Sequence, residues 1–228
     1  MEGIAARATL DRQMAELRRR IAEMGELATS QLERVLAALA GRDQEAARSA
    51  ADADQVVDDN ERAIDLLALR VMALQQPEAR DLRALLAAIA VAGSLERIGD
   101  HAKNIARQLP ATDVLARLPE DMLTALGAAA LRQLRQVMDA FHTDDAALAL
   151  AVRDQDAELD RLYAGCCERV VSAMERDNGC IRAGVYALHA ARCLERIGDH
   201  VTNIAERIHF EAQGTVPKEP RLRGDAAS

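Results

Sequence analysis

Two copies of one short segment put carboxylates where they can hold a cation. Residues 95–106 read LERIGDHAKNIA, and residues 194–205 read LERIGDHVTNIA. Ten of twelve positions are identical, and the copies lie 99 residues apart in a chain of 228. Each contains Glu-x-x-x-Asp, as Glu96 with Asp100 and Glu195 with Asp199. Residues four apart on a helix are neighbours on one face. Each pair can therefore grip one ion, or bridge two when a second helix faces it. Oxygen ligands without cysteine suit hard cations: Mg²⁺, Ca²⁺, Mn²⁺ or iron.

A second acidic set lies upstream of each copy. Asp54, Asp58 and Glu61 are spaced i, i+4, i+7, and Asp156, Asp160 and Tyr163 occupy the matching places in the second half. If these helices neighbour the repeated ones, the stripes meet along an external groove with several oxygen ligands per half. The plainer reading is a solvated helix face laced with i,i+4 ion pairs. The repetition of the whole set at matched spacing favours ligands over that reading. His101 and His200 follow the stripe, as a further ligand or as a bundle-edge histidine. Arg97 and Arg196 either brace the carboxylates or meet an anionic ligand.

Long amphipathic helices must carry these residues. With Leu95 at heptad position a, Ile98, Ala102, Ile105 and Leu109 form one apolar seam, and Leu194, Ile197, Val201, Ile204 and Ile208 repeat it. Glu96, Asp100 and Asn104, like Glu195, Asp199 and Asn203, fall on the opposite side. The carboxylates are thus expected on an outer face. Gly99 and Gly198 sit mid-helix, where glycine costs about 1 kcal/mol against alanine. That implies close approach of another group or open access to the stripe.

Helical periodicity predicts stretches at 9–40, 43–75, 78–108, 119–141, 144–176 and 180–213. Asp43 caps the second, Pro77 starts the third from its first turn, and Asn178-Gly179 makes the last turn. Pro110 and Pro119 bracket a hinge. The fold class is all-α, as two tandem pseudo-symmetric three-helix bundles of six long antiparallel helices. The first covers 1–110 and the second 111–213, and a polar tail at 214–228 is expected to be disordered.

Composition narrows the function. Half the residues are apolar, with no Trp, two Phe and two Tyr, which suits tightly packed helices. A formal net charge of −8 argues against nucleic acid or anionic lipid as main partner. No apolar run is long enough to insert in a membrane, no secretory leader is visible, and the cytoplasm is the expected location. Cys166, Cys167, Cys180 and Cys193 form no C-x-x-C pair and read as free thiols.

These residues resemble the PhoU family. The paired LERIGDH-x-x-NIA segments, the Asp54/Asp58 and Asp156/Asp160 sets, QQPEARDLR at 75–83 and the N-terminal DRQMAELRRRIAEMGELA carry the resemblance over about residues 8–212. It implies two three-helix bundles and a cytoplasmic regulator of phosphate homeostasis. Such a protein negatively regulates phosphate uptake and the phosphate-starvation two-component response. It implies contacts with the phosphate ABC transporter ATPase and the sensor histidine kinase, and homodimers. It also implies metal ions (iron, zinc, manganese or magnesium) at surface carboxylate clusters. By that match Glu96, Asp100, Glu195 and Asp199 hold metal, completed by Asp54, Asp58, Asp156 and Asp160. Glu61 opposite Tyr163 departs from strict repetition, so the halves are expected to differ in metal number or affinity.

Two other readings stand beside it. One is a metal-independent helical scaffold whose stripe is itself a docking face. The other is a carboxylate-bridged storage or oxidase protein, which wants Glu-x-x-His on inward faces. That spacing occurs once, at Glu206–His209. No nucleophile–base set or phosphate-cradling glycine loop is evident, so no enzymatic activity is expected.

Overall fold

The computed structural model describes residues 2–51, 55–119 and 121–217, without the side chains of residues 2–6, 55 and 58. It is built of helices α1 (Glu2–Gly41), α2 (Gln44–Ala51), α3 (Gln55–Leu74), α4 (Ala79–Arg107), α5 (Thr112–Leu115), α6 (Thr124–Thr143), α7 (Ala146–Arg153), α8 (Asp156–Arg176) and α9 (Ile181–Gln213). A 3-10 turn at Asn178–Cys180 leads into α9, where a turn was expected. Helices α1, α2/α3 and α4 pack as one three-helix bundle, and α6, α7/α8 and α9 as a second.

The bundles are joined along α4 and α9, which share the most extensive helix–helix contact in the molecule, and again along α1 and α6. Tyr186 of α9 donates from Oη to the Ile105 carbonyl of α4 at 3.2 Å across this contact, and both heptad seams are buried. Leu95, Ile98, Ala102 and Ile105, and their counterparts Leu194, Ile197, Val201 and Ile204, are all almost wholly buried. One continuous apolar cluster runs through both halves. His101 and His200, equivalent positions of the two copies, place their ring centroids 5.7 Å apart. The pseudo-twofold axis relating the halves therefore passes between these rings.

Several boundaries differ from the sequence expectation. The stretch 144–176 is broken at Asp154–Gln155 into α7 and α8. Buried Gln133 donates from Nε2 to the Gln155 carbonyl at 3.1 Å, which also accepts from the Glu158 N–H at the start of α8. Gln31, 102 positions earlier, approaches the Ala50 carbonyl at 3.5 Å in the same way. Pro77 stands before the helix and not in its first turn. Glu78 is the N-cap, and its backbone N–H donates to Asp81 at 3.4 Å. Asp43 caps α2 as expected, accepting from the N–H groups of Glu45 and Ala46. Asp145 does the same for α7.

The segment between the prolines is fastened down and does not hang as a free hinge. Leu115 and Leu118 are buried in the core. Thr112 donates to the Arg42 carbonyl at 3.1 Å, and Arg42 donates to the Leu118 carbonyl at 3.2 Å. Helix α6 consequently begins at Thr124, after a turn, later than the expected 119. Cys166, Cys180 and Cys193 are buried free thiols and Cys167 is half-buried. The expected tail falls outside the described residues from 218 onward. Among the described residues no helix is long and apolar enough to cross a membrane.

Candidate functional site

Helix α3 lies on α4, and α8 lies on α9. Each middle helix therefore covers part of the repeated carboxylate stripe. This is why the stripe is less open than the heptad wheel implied: the side chains of Glu96 and Glu195 are only 16% and 15% exposed, and Asp100 and Asp199 33% each. The stripe lines a half-buried groove and not an outer face. Asp54 and the side chain of Asp58 lie outside the described residues.

In the first half Glu96 and Asp100 act directly on each other's charge. Burial, reinforced by Asp100 and Glu61, pushes the Glu96 carboxyl up to about 7. Burial also works against Asp100, yet the Lys103 ammonium at 2.9 Å holds its pKa below the usual carboxylate range. Arg97 reaches both, at 3.3 Å to Glu96 and 3.8 Å to Asp100. In the second half Arg196 repeats this, at 3.8 Å to Glu195 and 3.1 Å to Asp199. The paired arginines are thus braces for the carboxylates. Glu195 is also raised, by burial first and then by Asp199, and its Oε2 is shut off from solvent with no hydrogen-bond donor.

The upstream set divides. Asp160 is close enough to Glu195 to oppose its ionisation. Asp156 is buried and accepts from Thr202 Oγ1 at 3.4 Å, within the α8–α9 packing. Among the described residues no three His, Cys, Asp or Glu side chains stand together in a metal-holding group. The chemistry of the donor set nonetheless fits a hard cation. Its oxygens are half-buried, mutually repelling and, at Glu195 Oε2, without a hydrogen-bond donor, which is an arrangement that positive charge relieves.

The halves differ more than the Glu61/Tyr163 mismatch suggested. Gly93 and Arg192 occupy equivalent places, 99 apart. Glu61 leans into the space over Gly93, its Oε1 3.6 Å from where a Cβ would stand. Arg192 fills the same space in the second half, bonding Glu195 at 2.8 Å and lying 5.9 Å from the Tyr163 ring centre. The first half thus has an extra carboxylate where the second has a built-in cation. Comparing the two halves at the 99-residue offset would have found this pairing in the sequence.

The histidines belong to the axis between the halves. Burial lowers both pKa values, and the neighbouring His101 ring adds to the effect on His200, which falls to about 4. Arg97 of α4 and Arg196 of α9 oppose protonation from both sides, while Asp199 favours it. A base depressed in the folded chain stabilises fully above its unfolded pKa, near 6.5, and that contribution is lost as pH falls through the folded value of about 4. In chelator-treated protein His200→Gln is expected to flatten the acid limb of stability by on the order of 1 kcal/mol between pH 6.5 and 4, after discounting for partial exposure. Urea midpoints at several pH values read this. An unchanged slope would mean that the pair is fully hydrated.

The single Glu-x-x-His spacing is not a metal pair in this fold. Glu206 accepts from buried Arg153 at 3.2 Å, beside the α7–α8 break.

Comparison with known proteins agrees with this architecture. The PhoU domain family model matches residues 21–109 and again 123–208, one match in each bundle. A PhoU homolog of the phosphate-specific transport system from Zymomonas mobilis is 36% identical over 215 residues, covering 94% of this chain and 90% of its own length. One from Caulobacter vibrioides is 36% identical over 219 residues, covering 95% of both. The crystal structure of PhoU from Pseudomonas aeruginosa superposes with a TM-score of 0.85 at 31% identity, covering 90% of this chain and 99% of that one. That of Streptococcus pneumoniae gives 0.83 at 27%, covering 92% and 100%. With two matches spanning most of the chain and near full-length relatives above 30% identity, the chain belongs to the PhoU domain family.

Proposed function

We propose that this chain is a cytoplasmic accessory regulator of phosphate transport, acting through protein–protein contacts and not through catalysis. It restrains phosphate uptake and the phosphate-starvation response. Its partners are the ATPase of the phosphate ABC transporter and a phosphate-sensing histidine kinase, and it self-associates as a dimer. The observation that carries this reading is the near full-length match to phosphate-transport accessory proteins, with the carboxylate groove present in both halves.

Cation binding at the grooves is the second part of the proposal. Glu96, Asp100, Glu195 and Asp199 would hold the ion, helped by Asp160 and by Asp54, Asp58 and Asp156. Iron, zinc, manganese or magnesium would supply positive charge that inverts the local field and lets the groove meet an anionic partner surface. The residues themselves do the rest. Arg97 and Arg196 keep the carboxylates aligned along α4 and α9, and α3 and α8 shield them from bulk water.

The test is capture of the transporter ATPase and the kinase by purified chain, with and without chelator. Glu96→Ala/Asp100→Ala is expected to retain its fold and to weaken capture about tenfold, as chelator does for wild type. Capture unchanged by both would leave a metal-independent scaffold. No capture of either partner under any condition would remove the regulatory reading.

A further inference from the structure

We propose that two equivalent apolar strips, one beside each carboxylate groove, together dock a homodimeric protein, each of whose subunits lays one apolar helix face on one strip. This docking deepens the regulatory reading and rests on it: it says where the partner sits and what symmetry it has.

The two halves of the chain match at these positions. Leu82 and Leu86, near the start of α4, stand 99 positions before Ile181 and Val185 at the start of α9. Leu69 on α3 stands 102 positions before Val171 on α8, the offset that also relates Asp58 to Asp160. All six residues are between 39% and 61% exposed. Among the described residues, Val171, Ile181 and Val185 are the large apolar residues exposed on the second bundle, and each has its counterpart in the first. Exposed leucines elsewhere are not matched in this way. Leu66 and Leu74, more exposed still, stand opposite Glu168 and Arg176. A single exposed apolar residue is ordinary surface, but a set that recurs at the same places in both halves, among neighbours that differ, marks a contact surface.

Both strips look the same way. Helix α1 packs on α4, α6 on α9, and α1 on α6. These two helices close one side of the α4–α9 pair, and the strips lie on the side they leave open. Along α4, Leu82, Leu86, Ile89 and Gly93 lead by threes and fours into Glu96 and Asp100, so the strip continues the carboxylate stripe toward the start of the helix. Ile181 and Val185 lead into Glu195 and Asp199 with the same spacing. The short connection from α3 to α4 brings Leu69 to the same end as Leu82. The pseudo-twofold axis between His101 and His200 carries one strip onto the other.

This symmetry names the occupant. Two equivalent sites related by a twofold match a partner whose two identical elements are related by a twofold of its own. A partner with one such element would use one strip, and the other would have no cause to stay apolar. Side chains at i and i+4 on one helix, flanked by a second helix, form the kind of groove that takes the apolar face of a third.

Capture of the transporter ATPase and of the kinase tests this, with cation present throughout so that the grooves stay constant. Leu86→Glu and Val185→Glu are each expected to weaken capture about tenfold, and together at least a hundredfold, because a single strip forfeits bivalent binding. Leu74→Glu, at an exposed leucine without a counterpart, should change nothing. Light scattering of the captured complex should give two partner subunits per chain. Thermal unfolding checks that the variants fold, and Leu86→Ser/Val185→Ser carries the test if the charged pair does not. Wild type that captures neither protein removes the regulatory reading and this docking with it. Wild type that captures, with the folded double variant undiminished or with one partner subunit per chain, overturns the docking alone. Loss of self-association in the double variant, with capture intact, would assign the strips to a second copy of this chain and overturn it as well.

Discussion

Ile98→Ala and Ile197→Ala are each expected to cost about 2–5 kcal/mol, and each to destabilise both bundles at once. Both side chains are fully buried, one on each repeated segment. Removing three carbons there loses transfer free energy and leaves a cavity that long, straight helices close only in part. The more telling part of the result is its reach. The sequence divides into a unit at 1–110 and another at 111–213, yet α4 and α9 pack against each other more extensively than against any helix of their own bundle. One apolar cluster spans the two. Unfolding in urea should therefore be a single transition in wild type and in both variants. Amide exchange in α3 should accelerate in Ile197→Ala nearly as much as exchange in α8. Two separable transitions, with only the mutated half shifted, would show that the bundles are independent folding units after all.

What the sequence made legible is what periodicity encodes. The ten seam residues were placed by counting threes and fours, and all ten are buried. Asp43 and the Asn178-Gly179 turn were local signals, and they stand where expected. What escaped are properties that need a second helix. Glu96 reads as surface on a wheel, but α3 lies over it and its pKa rises to about 7. The α7–α8 break has no glycine or proline to mark it, and the bond that Gln133 of α6 donates to the Gln155 carbonyl beside it is a contact between helices that periodicity does not encode. Gly198 lay in between. The sequence offers close approach or open access, and the structure chooses approach, because a Cβ there would run into the Leu159 side chain of α8.

If the grooves hold cations as proposed, the two halves should hold them unequally, and the pair at 93 and 192 should set the difference. In the first half Glu61 adds a carboxylate over Gly93, and Lys103 is spent on Asp100. In the second half Arg192 already neutralises Glu195. An incoming cation must displace or repel that guanidinium, so the second groove is expected to bind more weakly, by about tenfold or more. Arg192→Gly, which copies the first half, should close most of that gap, and Gly93→Arg should open the reverse one. Removing the ligands in one half at a time, with Glu96→Ala/Asp100→Ala against Glu195→Ala/Asp199→Ala, assigns each affinity to its groove. Manganese titration followed by paramagnetic resonance reads free ion directly. Equal affinities in wild type, or an Arg192→Gly chain that binds no better, would mean that the arginine is an outer brace whose charge the groove does not feel. The acid side of the same titration has a fixed sign. Glu96 must give up its proton to ligate, and its pKa is raised to about 7 chiefly by burial. Binding in the first groove should therefore weaken as pH falls below 7.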